Sequence, residues 1–170
     1  NAGATTMFDP NRDLFFYWIG FEPTLLLSDK FRLSYGLEFE DGVGSQGYVN
    51  TINDDIIFGE RDIRTLENSL SGSYTFNPFH TLALTFRNYW TTVNYDYDLF
   101  ILQEDGTLGQ EGVYNTDNIS DPNINFNTWN LDLSYSWWFA PGSQISLVWK
   151  NGIDNERNFI INHWVDNVEE

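Results

Sequence analysis

Three features of the sequence predict an all-β fold, and within it a transmembrane antiparallel up-and-down β-barrel of the outer-membrane type. First, residues alternate from Thr128 to Phe139: Trp129, Leu131, Leu133, Tyr135, Trp137 and Phe139 against Thr128, Asn130, Asp132, Ser134 and Ser136. Successive strand side chains point to opposite faces, so this is one long strand with an apolar and a polar side. After Ala140-Pro141-Gly142-Ser143 the pattern restarts, with Ile145, Leu147 and Trp149 against Gln144, Ser146 and Lys150. Two long two-faced strands joined by a tight turn are the repeating unit of such barrels. Second, short turns alternate with long polar connections. Third, no apolar run approaches the ~20 residues of a membrane-spanning helix; the best, Leu14 to Leu27, is broken by Gly20, Glu22 and Pro23.

Residues 1–12 are small and polar and read as a loop leading into a strand. Leu14 to Leu27 is the first strand, and Ser28-Asp29-Lys30 its turn. The second is clean, with Phe31, Leu33, Tyr35, Leu37 and Phe39 against Arg32, Ser34, Gly36, Glu38 and Glu40. A glycine-rich loop, Asp41 to Gly47, follows. Tyr48 to Phe58 is β-like but carries Asn53, Asp54 and Asp55 in its middle, and is assigned to an outer loop as a β-extension above the membrane. Leu66 to Phe76 alternates, Asn77-Pro78-Phe79-His80 turns the chain, and Leu82, Leu84, Phe86 and Trp90 line the next strand, which continues towards Leu102. Gln103 to Phe126 is long and polar, with turn signals at Asp105-Gly106 and Asp121-Pro122.

Outer-membrane barrels keep short turns on the periplasmic side and long loops outside. Turns 28–30, 77–80 and 140–143 are therefore expected to be periplasmic, and loops 41–63, 103–126 and 151–170 extracellular. The acidic residues concentrate in those loops, and aromatic residues gather near strand ends, as an interfacial girdle requires. The strands number about six to eight, too few to be a whole barrel of most known sizes, so the chain is expected to be part of a larger one. The first residue, Asn1, and the end at Val168-Glu169-Glu170 without a closing apolar strand are read as cut points.

The 170 residues carry a formal net charge of −17, no cysteine and 18% aromatics. The acidic excess argues against a nucleic-acid partner, which needs a basic face. The aromatic content argues against disorder. Without cysteine there is no disulfide framework or thiolate metal site.

Asp54, Asp55, Glu60 and Asp62 have the chemistry of a paired-carboxylate or hard-cation site; the simpler reading is an acidic loop at the barrel mouth. Asp117, Asn118, Asp121 and Asn123 have the oxygen density of a Ca²⁺ loop without the spacing of an EF-hand. Asp54, Asp55, Asp117 and Asp121 are thus weak metal candidates, and no cofactor is expected beyond Ca²⁺ in these loops. Arg32, Glu38, Arg87, Asp132 and Lys150 fall on polar strand faces and are expected to face the lumen, either setting pore selectivity or forming ion pairs across the wall. Leu131, Leu133, Tyr135, Trp137, Leu147 and Trp149 are expected to face lipid. His80 and His163 have no serine or cysteine partner in a recognisable motif, so no catalytic residue is assigned.

Several segments resemble a known family: Tyr48-Val49, then Asn53-Asp54-Asp55-Ile56-Ile57-Phe58-Gly59-Glu60-Arg61-Asp62, Tyr74-Thr75-Phe76-Asn77-Pro78, Tyr135-Ser136-Trp137-Trp138-Phe139-Ala140-Pro141-Gly142-Ser143, and Leu147-Val148-Trp149-Lys150. The similarity covers nearly the whole chain. Its most specific parts are the Phe-Ala-Pro-Gly-Ser turn and the Phe-Gly-x-Arg-Asp segment. The family is a Bacteroidetes outer-membrane family of uncharacterised function, joining an N-terminal module similar to family 9 carbohydrate-binding modules to a large C-terminal barrel. The resemblance implies that residues 1–170 are a C-terminal part of the barrel, with one more strand after the region matching Asn158–Glu170. It transfers no ligand or catalytic residue, because the module is absent and the family has no established ones.

The expected function is non-enzymatic: surface binding or uptake of glycans or other nutrients at the bacterial outer membrane, or a part in a surface assembly. Its partners would be outer-membrane lipid and lipopolysaccharide, the rest of the same barrel, and other outer-membrane or periplasmic proteins. Two alternatives are a carbohydrate-active hydrolase with its site in the acidic loops, and the C-terminal strands of a TonB-dependent transporter.

Overall fold

The computed structural model describes residues 1–11, 13–109 and 120–157, and among them every regular element is a β-strand. They are β1 (Ala2–Asp9), β2 (Leu14–Phe21), β3 (Thr24–Ser28), β4 (Phe31–Ile52), β5 (Asp55–Asn77), β6 (His80–Leu102), β7 (Leu108–Gly109), β8 (Ile124–Ala140) and β9 (Ser143–Arg157). One antiparallel sheet contains them in the order β1-β2-β4-β5-β6-β8-β9, with β3 on β4 and β7 on β6. Neighbours on this path follow one another along the chain as an up-and-down meander, with β3 intervening between β2 and β4 and β7 between β6 and β8. Among the described residues the sheet is not closed, and β1 and β9 form its edges.

Local chemistry explains the turns. Ser28 Oγ accepts from the backbone N–H of Lys30 (3.2 Å) and Phe31 (3.1 Å). Asn77 Oδ1 accepts from Phe79 N–H at 2.9 Å. In the β8–β9 turn, Pro141 presets its own φ and Gly142 takes φ +76°, the pairing a type II turn requires. Asn53 and Asp54 both have positive φ, +51° and +72°, as in the type I′ turns whose twist matches a two-residue hairpin.

Three segments differ from the sequence expectation. Residues 2–9 are a strand paired with β2 rather than a loop. Stretch 41–63 is not a loop: β4 and β5 stay paired up to the Asn53-Asp54 tip. Glycine and aspartate weaken strand propensity, but β6 pairs the other side of β5 out to Ile57, and that non-local pairing outweighs it. Gly44 is absorbed in a bulge between Gly42 and Ser45, and a second register shift at Val49 lies between Tyr48 and Asn50. Of loop 151–170, residues 151–157 belong to β9, and 158–170 lie outside the described residues. Leu14–Leu27 does behave as one strand broken at Glu22-Pro23, where proline has no N–H to give. The register on β4 is unchanged across the break, from Phe21 opposite Leu37 to Thr24 opposite Ser34.

Pairing registers sort the side chains into two faces. On one lie successive rows: Phe31, Tyr74, Leu82, Tyr135 and Leu147; then Leu25, Leu33, Leu84, Leu133 and Trp149; then Tyr35, Leu70, Phe86 and Leu131. The opposite face carries Arg32, Ser34, Gly36 and Glu38 of β4, Arg87 of β6, and Asp132 and Lys150. It is not polar throughout, since Leu26 and Val148 fall on it near the short turns. Both faces are largely bare. Leu25 is 52%, Leu147 65% and Trp149 53% exposed, and the buried apolar residues among those described are Ile57, Trp90, Val93, Tyr95 and Leu99, all on β5 and β6. The core therefore sits in the part of the sheet beyond the apolar rows.

Candidate functional site: a polar groove across the sheet

A groove of about 520 Å³ crosses the polar face and draws its lining from β1, β2, β4, β5, β6 and β8. A flat sheet cannot enclose one cavity against strands so far apart, so the sheet curls around this face. Gly3 lies opposite Gly20, which lies opposite Glu38, which lies opposite Glu67, which lies opposite Tyr89. The two glycines give the Trp18 indole its place. A Cβ on Gly20 would stand 2.4 Å from the ring and one on Gly3 2.9 Å from it, so the indole lies over bare backbone. Its Nε1–H donates to Glu38 Oε2 at 3.4 Å. Three strands further across the same face, Arg87 donates to Asp132 at 2.8 Å, and Lys150 Nζ stands 4.0 Å from the same carboxylate. Thr128 donates to Asp154 one row away.

The five residues expected to face a lumen, Arg32, Glu38, Arg87, Asp132 and Lys150, share this face; Glu38 and Arg87 line the groove, and the last three form one ion-paired group. Leu131, Leu133, Tyr135, Trp137, Leu147 and Trp149 share the other face. The sequence reading missed Trp18, Glu67 and Tyr89. Trp18 was hidden in Leu14–Leu27, where both faces are apolar, and cross-strand partners need a register.

The apolar-row face holds a second cavity of about 510 Å³, lined in part by Phe15, Tyr17, Asp41, Asp62 and Arg64. Arg64 Nη2 donates to Asp41 at 3.0 Å. Between it and the apolar rows lies a set of amides the sequence reading also passed over. Asn88 donates to Asn127 Oδ1 (2.8 Å) and the Thr128 carbonyl (3.1 Å), and Trp90 Nε1 donates to Asn125 Oδ1 (2.8 Å). These buried amides are hydrogen-bonded, as burial demands.

The acidic candidates scatter. Asp54 is in the hairpin tip and Asp55 begins β5. Asp121 accepts from Asn123 N–H at 3.0 Å in a local turn, and Asp117 lies outside the described residues. Among the described residues no group of three or more His, Cys, Asp or Glu side chains converges as metal ligands do. Glu60 and Asp62 instead sit in a field of like charge. Burial pushes Glu60 above the usual carboxylate range, and Asp96, Asp98, Asp13 and Asp62 push it further. Burial likewise raises Asp62, against a lowering hydrogen bond from Gly44 N–H, with Asp96 and Asp41 raising and Arg64 lowering it. An acid raised in the fold contributes stability that is present at low pH and lost as pH rises through its raised pKa. The β4–β5 extension is therefore expected to gain amide-exchange protection, corrected for intrinsic rates, as pH falls from neutral towards the ordinary carboxylate range. Glu60→Gln with Asp62→Asn should flatten that dependence; a loosening on acidification would contradict the burial of these carboxyls.

No curated protein and no solved structure matches the chain. A domain of unknown function, DUF5916, matches residues 1–170. With that match over its whole length, the chain belongs to the DUF5916 family.

Proposed function

We propose that this sheet is part of the wall of an outer-membrane β-barrel, in a Bacteroidetes-type surface protein that binds or takes up glycans or other nutrients, without catalysis of its own. The carrying observation is the row of half-bare Leu, Tyr, Phe and Trp side chains on one face. Water tolerates no contiguous apolar patch of that extent on an isolated protein, whereas lipid does. On β4 itself the apolar positions run from Phe31 to Phe39, about 27 Å at ~3.4 Å per residue, with Asn68, Asn88 and Asn127 entering the last two rows on the neighbouring strands. That becomes about 20 Å at a tilt of ~40°, near the height of an outer-membrane apolar band. β4 and β5 have 22 and 23 residues, against the ~9–11 a tilted span needs. Their excess, with the small core and the acidic side chains, would stand above the membrane. The open edges β1 and β9 would be satisfied by further strands, because unpaired backbone is not tolerated in hydrocarbon.

The chain has no cysteine, so single cysteines test this directly. In vesicles, cysteine at Leu133, Tyr135 or Leu147 should resist a water-soluble maleimide, and cysteine at Ser134, Ser136 or Ser146 should react. Equal or inverted reactivity would overturn the proposal.

A further inference from the structure

We propose that the groove over Trp18 is a saccharide-binding subsite that takes a neutral pyranose chain, with Trp18 as its stacking platform. The inference deepens the reading above and rests on it only in that the polar face must be open to water. Three observations carry it. The indole lies on glycine backbone, Gly3 and Gly20, and its Nε1–H is held by Glu38, so an aromatic plane is fixed in place at little entropic cost. A pyranose has an apolar C–H face that suits such a plane. Next, Glu38 and Glu67 stand directly opposite each other. Like charges so placed are unfavourable, and hydroxyl donors lying between them relieve it. Finally, the same groove brings in Arg87 and Tyr89, a cationic donor and a second aromatic group. A few convergent polar groups around an aromatic surface are what a specific small-molecule site requires.

The dimensions and charge narrow the ligand. Trp18 on β2 and Tyr89 on β6 are separated by two strands, which is about 14 Å at ~4.8 Å per strand and leaves room for about two or three pyranose rings. Glu38 and Glu67 repel phosphorylated or sulfated ligands, so the chain bound carries no anionic group.

The test is calorimetric titration of the full-length protein that carries this sheet, in detergent or bilayers, with maltohexaose and with cellohexaose. At least one should bind saturably. Trp18→Ala should weaken binding by about tenfold or more, equivalent to about 1.4 kcal/mol, while Trp18→Phe keeps most of it. Gly20→Val, which displaces the indole without removing it, should act like Trp18→Ala, and Glu67→Gln should weaken binding several-fold. Mobility of unheated samples on gels reports insertion separately. Binding that depends on Trp18 in a full-length protein that fails to insert supports the subsite and sinks the barrel reading. An inserted chain that binds neither oligomer, or binds equally well as Trp18→Ala, overturns the subsite and leaves the barrel reading standing.

Discussion

Leu84→Arg should destabilise the protein by about 1–3 kcal/mol, the cost of an arginine between midplane and interface on the face proposed to meet lipid, while Thr85→Arg, one residue on, should change stability by about 0.5 kcal/mol or less. Leu84 lies in the second apolar row between Gly72 and Leu133, so its side chain has no polar partner across either strand. Thr85 lies opposite Ser71 and Asp132, on the face where Asp132 already pairs with Arg87 and Lys150. A new guanidinium there finds water and a carboxylate. Urea titration of the protein in bilayers, read by tryptophan fluorescence, measures both. Similar losses at the two positions would mean that the faces do not differ in environment, and the membrane proposal would fall with them.

Gly44→Ala should cost about 2–4 kcal/mol through the backbone, independently of any membrane. Gly44 sits in the β4 bulge at φ +76°, where an L-residue loses roughly 1–2 kcal/mol. An added Cβ would also stand 2.8 Å from the Asp13 carbonyl oxygen and 3.3 Å from Leu14 Cα. Both are backbone atoms and cannot swing aside as a side chain can. Gly106 is the control. It too has positive φ, +83°, but nothing lies within 4 Å of its Cβ position, so Gly106→Ala should cost only the conformational part, about 1 kcal/mol. Amide-exchange protection, in the β4–β5 extension for Gly44 and across the β6–β7 pairing for Gly106, reports the difference. Equal costs would show that Asp13 does not approach Gly44.

Strand existence and facing were legible from residue types because they depend on a local period. Thr128–Phe139 alternates, and β8 keeps that alternation through the whole apolar region. The turns were legible for the same reason: Asn77-Pro78, Pro141-Gly142 and Asp105-Gly106 act on their own backbone. What failed were the places where pairing outvotes propensity. Asp41–Gly47 reads as a loop because glycine and aspartate favour one, yet β5 holds it in the sheet. Asn88, Asn125 and Asn127 interrupt the apolar face and were passed over, because their partners lie 35 to 40 residues away. The groove was invisible for a related reason. Glu38 was placed on the right face, but Gly3, Gly20, Trp18 and Glu67 acquire meaning only once the register sets them side by side.

By itself, then, the sequence determined that this protein is an antiparallel β-sheet with a greasy and a wet side, because side-chain period and turn chemistry are local properties of the chain. Only the tertiary structure decided that β4 and β5 continue unbroken to the Asn53-Asp54 tip, that the core lies around Ile57, Trp90 and Tyr95, and that Trp18 rests on two glycines beside a carboxylate pair. Those follow from which residue stands opposite which, and cross-strand register is set by the summed pairing of whole strands rather than by any segment alone.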